Sequence, residues 1–292
     1  MKNIFAALGD VLRGRSCVRG RMDFRWVACC FACFGCSLWL EPERLQCVTD
    51  VDCERRGGDF VGTLCIERAC RPNPHWSCTD EARPELAATE QAILRISLVD
   101  VASEQTVPAV NGQLCKLADA ACESPVAELY SDSDGTIEQP IVGGFEGYLQ
   151  FEMPGYLPML YLVPSFIRED STLEVPMARE ELLPELAAAL DVHIDPDRGH
   201  VILYVEDCFG EMAADVILSS PQAGEDTVRF FVLADGVSTA ADATGEVGLG
   251  GFINFNPATP AIRAEVKATG RRLRPISLIV RPGYVTVAAV QP

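Results

Sequence analysis

Leu94-Arg95-Ile96-Ser97-Leu98-Val99 decides the fold. Leu94, Ile96 and Leu98 alternate with Arg95 and Ser97, the period of two that a half-buried strand needs and a helix cannot use. The same pattern recurs outward along the chain. Val107 to Leu114 reads as a second strand, and Ala127 to Tyr130 leads into the tight turn Asp132-Ser133-Asp134-Gly135, with Thr136-Ile137 beyond it. Tyr148 to Met153 and Leu157 to Val163 follow, and such short strands punctuated by Gly and Pro predict a β-sandwich. Glu180 to Val192 departs from this pattern. Leu182, Leu183, Leu186 and Leu190 fall at helical spacing, with Pro184 tolerated in the first turn, so a connector helix is expected. A second strand series runs through His200 to Val205, Ala214 to Leu218, Val228 to Leu233, Gly251 to Phe255, Ile262 to Val266 and Ile276 to Val280. Pro282-Gly283 then turns the chain into Tyr284 to Val290.

The expected organisation is all-β. A signal segment (1–36) precedes a Cys-rich segment (37–78) and a linker (79–91). A first sandwich (92–178), a connector helix and turn (179–199) and a second sandwich (200–292) complete it. The 292 residues carry 24 Lys+Arg against 42 Asp+Glu, a formal net charge of -18. That balance excludes a nucleic-acid partner, since no basic stripe is available to neutralise phosphates. It equally disfavours electrostatic docking on anionic lipid.

The 13 cysteines are unevenly placed. Cys29, Cys30, Cys33 and Cys36 lie in or beside the apolar run Trp26 to Gly35, which is too short to span a membrane and fits the h-region of a secretory signal behind Arg19, Arg21 and Arg25. Met22 is an alternative start. Downstream stand Cys47, Cys53, Cys65, Cys70, Cys78, Cys115, Cys122 and Cys208, an even set as expected of a disulfide framework in an oxidising compartment. The block Cys47-x5-Cys53-x11-Cys65-x4-Cys70 is too short to build a core, so two disulfides of open connectivity are expected. Zinc is disfavoured by the spacing. Cys115 and Cys122 flank a loop that one bond can close, which leaves Cys78 and Cys208 as partners by elimination.

Phe34-Gly35-Cys36-Ser37 resembles a bacterial lipoprotein cleavage box, which implies lipidation of Cys36 and a lipid anchor in the cell envelope. Cys33 stands where that box has Leu, so ordinary signal cleavage is the alternative. The two strand series also echo one another. Ser131 to Gly135 has a counterpart in Ala241 to Gly245, Gly143-Gly144-Phe145 in Gly250-Gly251-Phe252, and each series opens on a strand ending in an acid, Asp100 or Asp207.

Val107-Pro108-Ala109-Val110, Asp132-Ser133-Asp134-Gly135, Phe145-Glu146-Gly147-Tyr148 and Pro154-Gly155-Tyr156 make the chain similar to carboxypeptidase regulatory-like, transthyretin-type β-sandwich modules. The resemblance covers about residues 92–178, and extends to 200–292 through Asp242 to Gly245 and Arg281-Pro282-Gly283-Tyr284-Val285-Thr286. The layout resembles exported lipoproteins of myxobacterial type. It implies noncatalytic units that contact envelope proteins or glycans, with no cofactor and no catalytic residue.

Few motifs promise chemistry. His193, Asp195 and His200 put metal-ligand types around one turn, but Pro196 and Gly199 make a polar turn the plainer reading. Placing Gly135 sixth in a calcium loop puts Tyr130 first and Ile141 twelfth, neither a carboxylate, which excludes an EF-hand. No Gly-x-Ser-x-Gly, His-Glu-x-x-His or phosphate-binding Gly loop is present. Phe145, Tyr148, Phe151, Tyr156, Tyr161 and Phe166 cluster in sequence. Tyr148, Tyr156 and Tyr161 are candidate binding residues if their rings are exposed, and sugar-stacking would make the chain a secreted carbohydrate-binding module. A metal-dependent enzyme at His193 to His200 is the third expectation.

Overall fold

The computed structural model describes residues 46–80, 90–164 and 167–292, in two compact units, 46–74 and 75–292. The expected signal segment (1–36) with Cys36, residues 37–45, residues 81–89 of the expected linker, and Phe166 lie outside the described residues.

The small unit is a helix α1 (Asp50–Glu54), a 3-10 turn (Gly58–Phe60) and a hairpin of β1 (Thr63–Ile66) and β2 (Ala69–Pro72). Glu67 and Arg68 form the two-residue hairpin turn, both at positive φ, and Cys65 stands directly opposite Cys70. From that pair one disulfide reaches Cys47 and the other Cys53. Asp50 accepts the Cys65 N–H at 2.7 Å, and Gln46 accepts that of Cys70 at 2.9 Å. With so little apolar surface, these cross-links stand in for a core.

The large unit holds the remaining strands. In chain order they are β3 (Gln91–Asp100), β4 (Asn111–Lys116), β5 (Ala127–Tyr130), β6 (Thr136–Val142), β7 (Gly147–Glu152), β8 (Met159–Leu162) and β9 (Ser171–Met177). Helix α2 (Leu182–Ala189) follows, then β10 (Gly199–Val205), β11 (Val216–Ser219), β12 (Val228–Leu233), β13 (Gly236–Ser238) and β14 (Leu249–Phe255). The last are β15 (Ala261–Val266), β16 (Arg271–Arg272), β17 (Ile276–Ser277) and β18 (Val285–Val290). The protein is nearly all β.

The alternation that opened the reading is realised in β3, where Leu94, Ile96 and Leu98 are fully buried. Each such burial contributes about 1.5–3 kcal/mol. β3 lies between β6 (antiparallel) and β9 (parallel), while β10 lies between β14 (antiparallel) and β18 (parallel), so both halves open on the same arrangement. The turn Asp132 to Gly135 leads into β6, and Asp242 to Gly245 precedes β14 at the corresponding place. The other echo does not hold. Gly143 to Phe145 is a turn after β6, whereas Gly250 to Phe252 lies inside β14.

The two sandwiches are joined rather than merely consecutive. β18 pairs with β10 on one side and, in parallel, with β8 of the first half on the other, which creates one nine-stranded sheet, β13-β12-β14-β10-β18-β8-β7-β4-β5. Period-two alternation sends its side chains to two separate cores. Leu149, Phe151, Tyr161, Val287, Ile202 and Tyr204 enter a core shared with β3, β6, β9 and α2. Tyr148, Leu160, Leu162, Ala288, Val201 and Leu203 enter one shared with β11, β15 and Leu278. The second layers therefore lie on opposite faces of the common sheet. β8, β10, β14 and β18 are buried along their whole length because both faces of the sheet are covered, which explains their mostly apolar sequences. Their buried polar residues His200, Asn254 and Thr286 are hydrogen-bonded internally. Helix α2 does more than connect, because Leu182, Leu183, Leu186 and Leu190 help close the first core.

Several strands depart from the sequence reading. The segment expected as a strand over Val107 to Leu114 becomes extended only at Asn111, because Pro108 has no N–H to give and Ala109 takes a φ of 58°. The strand expected at Ile276 to Val280 stops at Ser277, although Leu278, Ile279 and Val280 are buried. β6 and β9 carry Pro140 and Pro176, and both are edge strands, the position where a missing donor is tolerated.

Candidate functional site

The candidate tyrosines do not form a platform. Tyr148 and Tyr161 are fully buried and Tyr156 is half-buried, so the rings expected to stack on a ligand are used internally. Tyr161 shares a 2.8 Å hydrogen bond with Tyr204 inside the first core, and burial pushes the Tyr161 hydroxyl up to about 12. Tyr148 donates to the Ala-rich loop at Asp119 O (2.7 Å) and accepts from Arg281 Nη2 (2.6 Å). Phe151 is also fully buried, and Phe145 is half-buried.

Arg281 forms a junction between the halves. Its guanidinium donates to Ala120 O and to Gln150 Oε1, and lies against the rings of Tyr148 and Tyr284. Tyr284 in turn donates to Glu152, in a bond that helps hold its own hydroxyl up at about 12 after burial, the larger cause. The disulfide Cys115–Cys122 closes the loop that presents Asp119 and Ala120 to this junction.

His193, Asp195 and His200 are not brought together as a metal site. His193 is exposed and contributes only its carbonyl, which accepts from Asn254 Nδ2 at 2.7 Å. Asp195 caps the following turn through the Asp197 N–H and faces Arg198. His200 is buried and accepts the Asn254 N–H at Nδ1, and burial drops its pKa to about 4. The residues build a polar turn, with Asn254 at φ 56° knitting it to β14. Among the described residues, only two other groups place three ligand atoms within 4.8 Å of one another. One is Cys47, Cys53 and Cys70, whose sulfurs are in disulfides.

The other group is His75, Asp207 and Glu211, and it belongs to one of two matching acidic corners. At the end of β3, Asp100 Oδ1 accepts the N–H groups of Ala102 and Ser103, while Oδ2 takes Arg179 Nε at 2.7 Å and the Tyr156 hydroxyl at 2.8 Å. Burial alone would raise this carboxyl, but the hydrogen bonds more than offset it and hold it at about 2. At the end of β10, Asp207 Oδ1 accepts the N–H groups of Phe209 and Glu211, and Oδ2 meets His75 Nδ1. Here too burial opposes and hydrogen bonding prevails, so Asp207 sits below the usual carboxylate range. The acid ending each opening strand was visible in the sequence. His75 was not, because a lone His between Pro74 and Trp76 reads as linker. The disulfide Cys78–Cys208 is what brings it here.

A cleft of about 190 Å³ lies among Glu146, Leu162, Arg274, Ile276 and Gln291. It falls below the roughly 300–1,000 Å³ of ordinary small-molecule sites. Large apolar side chains on the surface include Val126 (43 % exposed), Tyr130 (65 %) and Val142 (73 %).

Neither a protein-family model nor a curated protein matches the chain. Solved structures that resemble it include the Bacillus anthracis TIE protein, at 11% identity and TM-score 0.25 over 69% of this chain and 34% of that one. The shaft pilin SpaA of Lactobacillus rhamnosus GG aligns at 9% identity and TM-score 0.23, covering 70% and 98%. Chlorocatechol 1,2-dioxygenase from Pseudomonas putida aligns at 10% identity and TM-score 0.24, covering 34% and 69%. The chain thus spans about a third of the TIE protein. Scores this low carry no functional inference.

Proposed function

We propose that this is an exported, noncatalytic protein of the cell envelope, anchored through a lipid on Cys36, whose rigid β unit presents a surface for contact with another protein. The observation that carries this reading is the pairing of all eight cysteines downstream of Cys36 in four disulfides, a state that persists in oxidising compartments. The groups with the most displaced pKa values support a holding role. Asp100, His200, Tyr161, Tyr204 and Tyr284 are each engaged in a core, corner or junction hydrogen bond. Burial of Tyr148, Phe151 and Tyr161 favours a protein partner over a glycan. The repeated placing of β3 and β10 supports treating the halves as two related transthyretin-type modules.

Mass spectrometry of the amino terminus, with non-reducing peptide mapping, tests the proposal. A diacylglyceryl-modified Cys36 and four disulfides are expected. A free amino terminus near Cys36 would remove the anchor and leave export standing, whereas an unprocessed Met1 with titratable thiols would overturn the whole reading.

A further inference from the structure

The geometry points to a divalent-metal site of the zinc type, formed by His75, Asp207 and Glu211 beside the Cys78–Cys208 disulfide. One ligand atom from each of the three lies within 4.8 Å of the other two. An imidazole with two carboxylates is a donor set that zinc-like ions accept, and three protein ligands leave a position for water or a partner's side chain. The site is assembled from two segments distant in sequence, which a chance cluster on one loop would not be. His75 belongs to the 3-10 segment Pro74–Asp80, and Asp207 and Glu211 to the corner after β10.

Both segments are held before any ion arrives. The disulfide joins Cys78 to Cys208, the Cys208 N–H donates to His75 O at 2.9 Å, and the His75 ring meets Phe209 edge-on at 5.4 Å between centroids. Asp207 has a side chain only 3 % exposed and divides its oxygens, Oδ1 accepting the corner's N–H groups and Oδ2 facing His75. An ion bound at His75 Nδ1 and Asp207 Oδ2 takes the place of the hydrogen bond between them, and the ring proton of neutral His75 then resides on Nε2. His75 is half-exposed and Glu211 exposed, so solvent reaches the ion from that side and Glu211 can swing onto it. Bound metal would fasten the segment before residue 81 to the second half independently of the sulfur bond.

The test is a calorimetric titration of the oxidised, untagged full chain with zinc sulfate. One saturable zinc per chain is expected, weakened by His75→Ala at least as much as the 10–100-fold that loss of even an outer partner of a metal ligand causes. Glu211→Gln, at an exposed side chain, is expected to weaken it about tenfold or more. His193→Ala is expected to leave it unchanged. Asp207 is left intact because it caps its corner, and peptide mapping of the 78–208 bond confirms that each variant is folded. No saturable binding, binding unaffected by both His75→Ala and Glu211→Gln, or binding removed by His193→Ala would each overturn the site.

Discussion

Acidification from about pH 7 to pH 2 should remove a definite increment of stability at Asp100. Its folded-state carboxyl sits at about 2 against an ordinary value of 3.8, so the folded protein holds the charged form more strongly than the unfolded chain does. Stability from a depressed carboxyl is fully present above the unfolded value and is lost as the pH falls through the folded one. Each pH unit between the two values corresponds to about 1.36 kcal/mol, so the corner contributes about 2 kcal/mol at neutral pH. The Asp100 side chain is only 3 % exposed, which keeps the figure from being discounted heavily, although Arg179 is 53 % exposed and its share will fall with salt. Asp100→Asn retains an oxygen for the Ala102 and Ser103 N–H groups but turns an amide donor toward Arg179 and Tyr156, which are themselves donors. Urea unfolding, followed by circular dichroism at several pH values, gives the wild-type-minus-variant difference. That difference should carry a pH-dependent part of about 2 kcal/mol at neutral pH that is mostly lost by about pH 2 and gone below it, over a constant remainder from the amide mismatch. A difference that stays flat across the range would refute the assignment of a charged, hydrogen-bonded Asp100 to the fold.

Three other perturbations probe the framework. Replacing Cys78 and Cys208 together by Ser opens a link across 130 residues and should lower stability by about 4–5 kcal/mol in the chain-entropy picture, read from the urea midpoint. Tyr161→Phe alone strands the Tyr204 hydroxyl and should cost about 1–3 kcal/mol, whereas the double Phe variant should recover most of it, so a double-mutant cycle without positive coupling would contradict the buried pair. Gly251→Ala drives a methyl into the Val201 carbonyl between β10 and β14 and toward the Phe230 ring. A loss of about 1–3 kcal/mol or more in thermal or urea unfolding is expected.

Much of this architecture was legible from residues alone, and the reasons differ from element to element. β3 could be read because one of its faces stays partly wet, so polar and apolar residues alternate, and β12 was located at its own residues, Val228 to Leu233. The Cys115–Cys122 and Cys78–Cys208 pairs followed from counting, since a closed loop removes one pair and leaves the other. The seam between β8 and β18 was not legible. Its residues are more than 120 positions apart, and a largely apolar strand announces that both faces are covered without saying by what. β9 was hidden by Pro176, which argues against a strand unless it lies at an edge. The tyrosines misled for a related reason. Residues facing opposite sides of β7 and β8 normally divide into core and surface, but this sheet has a core on each side. His75 acquires its neighbours only through a fold-spanning bond, which no local pattern records.

The position of β18 bears on how the polypeptide is made. It sits in the middle of the nine-stranded sheet yet is synthesised after the other seventeen strands of the described residues, and both of its partnerships there are parallel. Until those residues emerge, β10 and β8 each present a bare edge, and such unpaired edges invite aggregation. Neither half completes its part of the sheet before β18 is in place. Because the two halves share one closing strand, both sheets keep an open edge until β18 docks, and the interval before that pairing, rather than the mature state, is the period when a chaperone matters most.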